Sequence, residues 1–327
     1  MDLWTKIGFA KSIIQVILFS RRIPLIVSWH LINRCSRSCI YCSRWKTATG
    51  EMENNEILGV IDELAKMGTR VIIFSGGEPL LRDNIGEIIS YCRSKGIFTG
   101  LTSNGDLVER KINEIKELNV LKLSLDGPEE IHDFLRGKGS FDKVMEAVEA
   151  AKKVGIPVKF NTTLTRYNIG CIDFLLAKAE ELDIQIKFQP VSHVHAPDRD
   201  ISDLLPEANK YQETISRLIY LKKRNPYIIN STSALKYLYA LPKGKKINCY
   251  AGRIICCIMP DGRVAPCSAI RDSFYSVSCL SVRFKDAFDK LPPVYSCKGC
   301  WCTSTLELNC FLRFDLDTFL NMKNMFK

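Results

Sequence analysis

Between residues 24 and 225 the chain alternates six times between a short apolar run and an amphipathic one. The runs "LIVSWHL", "RVIIFSGGEPL", "IFTGLTSNG", "VLKLSLDGP", "PVKFNTTLT" and "IQIKFQPV" read as strands. Between them lie helical patterns such as "EILGVIDELAKMG" and "IGEIISYCRSKG", which stop at Gly68 and Gly96. A helix over roughly residues 206–224 follows the last strand. Strands that are apolar on both faces, each followed by a helix, predict a parallel sheet covered by helices.

A doubly wound sheet and an incomplete barrel both fit that alternation. The strand ends choose between them. Nearly every strand runs into a polar or glycine-rich loop: "NRCSRSC", "SGGEP", "TSNG", "SLDGP", "NTTLT", "QPVSHVH". Barrels collect their chemistry at the C-terminal ends of the strands, and six such loops suit one mouth better than one crevice. The expected fold is α/β: a partial (β/α)6 TIM-type barrel with a small cysteine-rich C-terminal domain. The expected divisions are an amphipathic helix within residues 1–23, the barrel over 24–235 and an auxiliary domain over 236–327.

Fourteen cysteines in 327 residues raise the question of disulfides. Disulfide-dense chains are typically small and secreted, and the start of this chain does not read as a clean signal peptide. Lys6 and Lys11 break its apolar run, Arg21 and Arg22 follow it, and no small-residue cleavage site appears. The thiols are better read as metal ligands in a reducing cytoplasm. Residues 3–19 form a helical pattern too short to span a bilayer. That helix either packs over one end of the main domain or lies at the inner membrane face, with basic residues at the headgroups. The net charge of +10 favours anionic partners. No motif of a nucleic-acid-binding fold accompanies it, so no nucleic acid is expected.

Cys35, Cys39 and Cys42 fall within eight residues just after the first strand, and no fourth cysteine precedes Cys92. A structural zinc site wants four ligands. Three thiolates can hold three irons of a cubane and leave the fourth open to a ligand. The C-x3-C-x2-C spacing, with Tyr41 before the last cysteine, resembles the radical S-adenosylmethionine (SAM) superfamily. "SGGEPLL" over 75–81 is similar to that family's second-strand motif, "TSNG" to its third-strand turn, and residues 124–141 to the fourth-strand segment of members with extra clusters. The resemblance implies a 4Fe–4S cluster on the three cysteines and SAM beside it. By that similarity Tyr41, Gly76, Gly77, Glu78, Asn104, Ser124 and Arg136 form the cofactor site, the two glycines admitting the ligand closely and Arg136 meeting the SAM carboxylate. His132 and Asp133 read as capping and packing residues.

Nine of the 14 cysteines lie within residues 249–310. Cys249, Gly262 and Cys267 resemble the opening of the SPASM and twitch extensions, with "MPDGRVAPC" as a hairpin. Cys249, Cys267, Cys297 and Cys300 suffice for one fully ligated auxiliary 4Fe–4S cluster. Cys302 and Cys310 are out of spacing for a second, which stays open, as does a zinc ribbon.

The implied chemistry is reductive cleavage of SAM to a 5′-deoxyadenosyl radical that abstracts hydrogen from a substrate, with flavodoxin or ferredoxin as reductant. His193 and His195, past the sixth strand, are candidate catalytic residues. Small-molecule, lipid-like and peptide substrates all fit, as does a ribosomal-peptide maturase. The 24 residues before the barrel are too few for the recognition domain that peptide modifiers often carry. A non-enzymatic iron–sulfur or zinc protein for electron transfer or scaffolding would not need the loops at 75–80, 102–105 and 124–136.

Overall fold

The six expected strands form β1 (Ile26–Ile32), β2 (Val71–Gly76), β3 (Phe98–Ser103), β4 (Val120–Ser124), β5 (Val158–Leu164) and β6 (Gln185–Pro190), paired in parallel in chain order. This computed structural model describes residues 13, 16, 21–47, 50–192, 200–241, 247–270, 276–292, 299–313 and 315–318. Helices α1 (Asn54–Met67), α2 (Ile85–Ser94) and α3 (Val108–Ile115) follow β1, β2 and β3. They bury Ile57, Ile61, Leu64, Ile88, Ile89 and Ile115 on the convex face of the sheet, against Val27, Ile72 and Leu101. Between β4 and β5 stand two helices, α4 (Glu129–Arg136) and α5 (Ser140–Lys153). The first falls where the sequence pattern gives only a loop. Pro128 at its start and Glu129 and Glu130 in its first turn favour a helix there, and Gly137 at φ 111° ends it. Asp133 caps α5: it accepts from Gly139 N, Ser140 Oγ and Phe141 N. Helices α6 (Ile172–Glu181), α7 (Ala208–Lys222) and α8 (Thr232–Ala240) complete the ring.

The cysteine-rich region continues the same sheet. Strand β7 (Ile255–Ile258) pairs in parallel with β1, placing Ile26 beside Ile255. The expected hairpin is present: β7 and β8 (Arg263–Ala265) run antiparallel, with Gly262 at φ 77° in the turn. A short β9 (Val277–Ser278) adds a ninth strand, in the order β6-β5-β4-β3-β2-β1-β7-β8-β9. Helix α9 (Phe284–Asp289) lies by α1, where Lys285 N donates to Glu63. Helix α10 (Thr303–Phe311) shuts the N-terminal end of the barrel: Leu308 and Leu312 pack with Ile254 against the inward-facing Val71, Phe98 and Val120.

The expected helix over 3–19 lies outside the described residues except at Ile13 and Val16, which are helical. Val16 is fully buried in that same plug. Among the described residues no helix is long and apolar enough to cross a membrane. His193, His195 and Cys297 also lie outside the described residues.

An open barrel leaves β6 with an unpaired edge. The stretch after α7 covers it. Ile186 N donates to Tyr227 O and Ile229 N to Ile186 O. The Asn230 side chain then finishes the ladder, accepting from Phe188 N at 2.8 Å and donating to Phe188 O at 2.9 Å. Asn230→Ala strands two buried backbone groups and should cost about 2–4 kcal/mol in denaturant unfolding.

Candidate functional site

The loop after β1 carries Cys35, Cys39 and Cys42 across the C-terminal mouth of the barrel, and its neighbours fix it at several points. Gly77 N donates to Ile32 O, and Glu78 N to Arg34 O. A Cβ at Gly76 would lie 2.2 Å from Ile32 O, and one at Gly77 2.0 Å from Arg34 O. The two glycines are therefore demanded by the backbone of the cysteine loop itself, whereas the sequence alone points to close approach of a ligand. Ser36 Oγ donates to Asp106, and Arg37 forks onto the same carboxylate and reaches Lys138 O at 2.9 Å. Ile40 N donates to Leu135 O of α4.

One buried carboxylate joins this loop to the barrel. Asp126, just past β4, is fully buried. It accepts from Tyr41 Oη at 2.7 Å, Arg136 Nε at 2.6 Å and Thr163 N at 2.9 Å. Burial opposes its ionisation, but the Arg136 guanidinium and the hydrogen bonds outweigh burial and hold its carboxyl below the usual range. Burial likewise opposes the Arg136 cation, and Asp126 overrides it to raise the guanidinium further. The guanidinium stacks 5.3 Å above the Tyr41 ring. His132, also fully buried, accepts from Asp126 N at Nδ1. Burial and then Arg136 push its imidazole down to about 4, so it packs as a neutral ring.

These elements enclose a cavity of roughly 160 Å³. Cys35, Cys39 and Cys42 line it together with Ser75, Gly76, Gly77, Asn104, Ser124 and Arg136, and Asn161, Thr163 and Gln189 complete its far wall. The ends of five strands, β2 to β6, thus meet the three thiols of the loop that follows β1. Asn104 Nδ2 lies 3.8 Å from Cys35 Sγ. Burial pushes the Cys35 thiol up to about 12 and Cys39 to about 11, Arg136 partly offsetting the latter. Among the described residues no three His, Cys, Asp or Glu side chains gather tightly enough for a single ion. All three thiols border the one cavity, as a cubane that takes each ligand on a different iron requires.

Glu78 sits behind the wall. It is fully buried and accepts from Ser103 Oγ, Asn104 N and Leu80 N, thereby shaping the turn after β3. Burial lifts its carboxyl to about 7 against those hydrogen bonds.

In the C-terminal region burial raises the Cys300 thiol, and the charges of Cys302, Cys249 and Cys267 raise it further. All three of those thiols therefore lie within electrostatic reach of Cys300. Cys249 Sγ receives Ala251 N at 3.5 Å, and Tyr237 Oη receives Cys300 N. Burial pushes Cys310 up to about 12, and its charged neighbours are Glu307, Asp315, Arg313 and Asp317, with no thiol among them. Cys256 is buried in β7.

Sequence reasoning missed Asp126, Asp106 and Arg37. Each is visible as a polar residue in a strand-end loop, but a buried ion pair between segments has no spacing to betray it.

A profile of the Radical SAM superfamily matches residues 29–176. The Fe-coproporphyrin III synthase of Methanosarcina barkeri is 32% identical over 174 residues, 51% of this chain and 44% of that protein. The AdoMet-dependent heme synthase of the same organism is 28% identical over 269 residues, 75% of this chain and 76% of its own length. Mycofactocin maturase MftC of Mycobacterium tuberculosis is 26% identical over 79% of this chain and 68% of its own. Among solved structures, Streptococcus suis SuiB bound to S-adenosylmethionine superposes with a TM-score of 0.67 at 17% identity, covering 85% of this chain and 68% of SuiB. That likeness is one of fold.

Two outcomes follow from the buried carboxylates. Asp126→Ala leaves Arg136 buried without its partner and should cost about 3–5 kcal/mol, whereas Asp133→Ala removes only a helix cap, about 1 kcal/mol. Denaturant midpoints of both variants check the ranking. The folded value of Glu78, about 7, lies above its unfolded value of about 4.3, so the folded state holds that proton more tightly. Its contribution should therefore weaken stability as pH rises from about 4 to about 7, by on the order of 3 kcal/mol, and stay flat above. Glu78→Gln should lose this slope in unfolding titrations run between pH 5 and 8.

Proposed function

We propose that the chain is a radical SAM enzyme, that Cys35, Cys39 and Cys42 hold a 4Fe–4S cluster and that SAM binds in the cavity beside them. The observation that carries this reading is the convergence of one three-thiol loop and five strand ends on a single cavity. The cluster and SAM, when bound, supply a 5′-deoxyadenosyl radical that takes hydrogen from the substrate.

The chain's own part is placement. Arg136, oriented by Asp126, offers its guanidinium to the SAM carboxylate, for which its fork of donors is suited. Asn104 and Ser124 border the same space with polar groups. Glu78 acts at one remove, holding Ser103 and Asn104 in position. Tyr41 closes the wall between the cysteine loop and Asp126 and keeps water from that buried pair.

The auxiliary site we place at Cys249, Cys267 and Cys300, together with Cys297 on the strength of its spacing from Cys300. The proximity of Cys302 to Cys300 makes Cys302 the rival fourth ligand, and the surroundings of Cys310 argue against it. A flavodoxin or ferredoxin would deliver electrons. The relatives named as heme synthase and as maturase support either a small molecule or a peptide as substrate. The barrel closed from below by α10 favours the small molecule, or a single side chain of a peptide.

Anaerobic reconstitution with SAM and dithionite should yield 5′-deoxyadenosine, and Cys35→Ala, Cys39→Ala and Cys42→Ala should each abolish it. Normal product from any one of them would refute the assignment. Wild type should hold about eight irons and the triple variant about four, since each cubane contains four. Zinc in the triple variant would make the C-terminal site a ribbon.

A further inference from the structure

Two asparagines, one at each thiol site, face a cysteine sulfur in the same way. Asn104 lies in the turn after β3 and Asn309 on α10, and both are buried. Asp106 N donates to Asn104 Oδ1 at 2.9 Å, and Tyr250 N donates to Asn309 Oδ1 at 3.0 Å. A backbone N–H meets the amide oxygen and not the amide nitrogen, so each bond fixes which way its side chain faces. The Nδ2 groups then point to sulfur. Asn104 donates to Cys35 Sγ and Asn309 to Cys249 Sγ, each at 3.8 Å.

At the mouth, the other hydrogen of Asn104 Nδ2 goes to Ser36 Oγ at 3.0 Å. Ser36 gives its own proton to Asp106, which Arg37 also holds. The cysteine loop therefore takes both amide hydrogens, and Glu78 fixes the backbone N–H of Asn104 from behind. On α10 the case rests on cost. Asparagine is a poor helix former, and a fully buried amide is unfavourable unless it is hydrogen-bonded. The two groups that Asn309 meets belong to Cys249 and to the residue after it. Cys249 Sγ also receives Ala251 N at 3.5 Å, so two N–H groups converge on that sulfur.

A neutral thiol is a weak acceptor. A thiolate on an iron–sulfur cluster is a stronger one, and its negative charge grows when the cluster gains an electron. An N–H aimed at the sulfur then favours the reduced state and raises the reduction potential. We propose that Asn104 and Asn309 are matched positioning residues, each donating to one cluster ligand and raising the potential of the cluster at its own site. This deepens the radical SAM reading and rests on it for the presence of both clusters.

The test is an EPR-monitored redox titration of the anaerobically reconstituted protein without SAM. The signal missing from the triple alanine variant of Cys35, Cys39 and Cys42 reports the mouth cluster, and the remaining signal reports the C-terminal one. Aspartate keeps the oxygen that accepts the backbone N–H and removes the donor, whereas alanine removes both. Asn104→Asp and Asn104→Ala should make reduction of the mouth cluster three- to tenfold less favourable, roughly 30–60 mV at about 59 mV per decade for one electron. The C-terminal potential should not move. Asn309→Asp and Asn309→Ala should do the reverse, so each pair is the control for the other. Iron should stay at about eight per chain in all four. Where a buried carboxylate prevents folding, the alanine variant carries the measurement. Unmoved potentials in iron-replete variants would overturn the proposal. So would variants that shift both potentials alike, or loss of the cluster from both variants of one site, which would make that asparagine a structural holder. Shifts of the expected kind in a protein that makes no 5′-deoxyadenosine would leave the tuning role standing and refute the radical reading instead. Zinc at the C-terminal site would refute the auxiliary cluster and with it the role of Asn309, and the mouth potential alone would then decide for Asn104.

Discussion

The buried pair of Asp126 and Arg136 is the contact on which the arrangement of the mouth depends. The cysteine loop comes from β1, Asp126 from the end of β4, Arg136 from α4 and Thr163 from β5, and all four meet at one carboxylate. A buried ion pair stabilises little on balance, because desolvation consumes most of the Coulomb gain. Its value here is positional. An uncompensated charge in that place is so unfavourable that the four segments have essentially one way to come together. The fork of Arg37 on Asp106 repeats the device at the outer edge of the same loop, where both side chains are only partly exposed.

Below the mouth, the C-terminal region does more than carry thiols. By pairing β7 with β1 it extends the barrel sheet, and by seating α10 under the strands it supplies the floor. A barrel of only six strands is open at one side and one end, so the cysteine-rich segment completes the container as well as bringing its thiols. The same helix brings Ser304 and Glu307 to the inward lysines of β4, β5 and β6, Lys122, Lys159 and Lys187, and Cys302 precedes its first turn. The lower interior and the C-terminal thiols are therefore adjacent by construction.

The strands, their order and the loops that face the mouth can be read from the sequence because each is a local pattern: period-two burial, a polar strand end, a helix stopped by glycine. The three thiols are equally plain, since one short loop supplies them all. What escapes is whatever two distant segments make jointly. Helix α4 hides in a stretch that looks like loop because it is only eight residues long and sits between Gly127-Pro128 and Gly137. The reason for Gly76 and Gly77 is not local either, because the backbone that crowds them belongs to another strand. Glu78 is expected to face a ligand, and no local rule says that Ser103 and Asn104, some 25 positions later, will claim its oxygens.

The lysines mark the boundary between these two cases. "VLKLS", "PVKFN" and "IQIKFQ" each set a lysine within an otherwise apolar strand. In a sheet whose outer face is covered by helices, an inward lysine can only point into the barrel. Charge counted over the whole chain dilutes that signal among solvated lysines, and the net +10 then reads as a surface property. Charge counted by strand position isolates it. Three consecutive strands place a cation at neighbouring inward positions, and a closed floor forbids those cations an escape to solvent by the lower end. The interior therefore has a fixed polarity, apolar at the bottom, cationic in the middle, sulfur and backbone at the top. That order follows from the strand register that built the barrel.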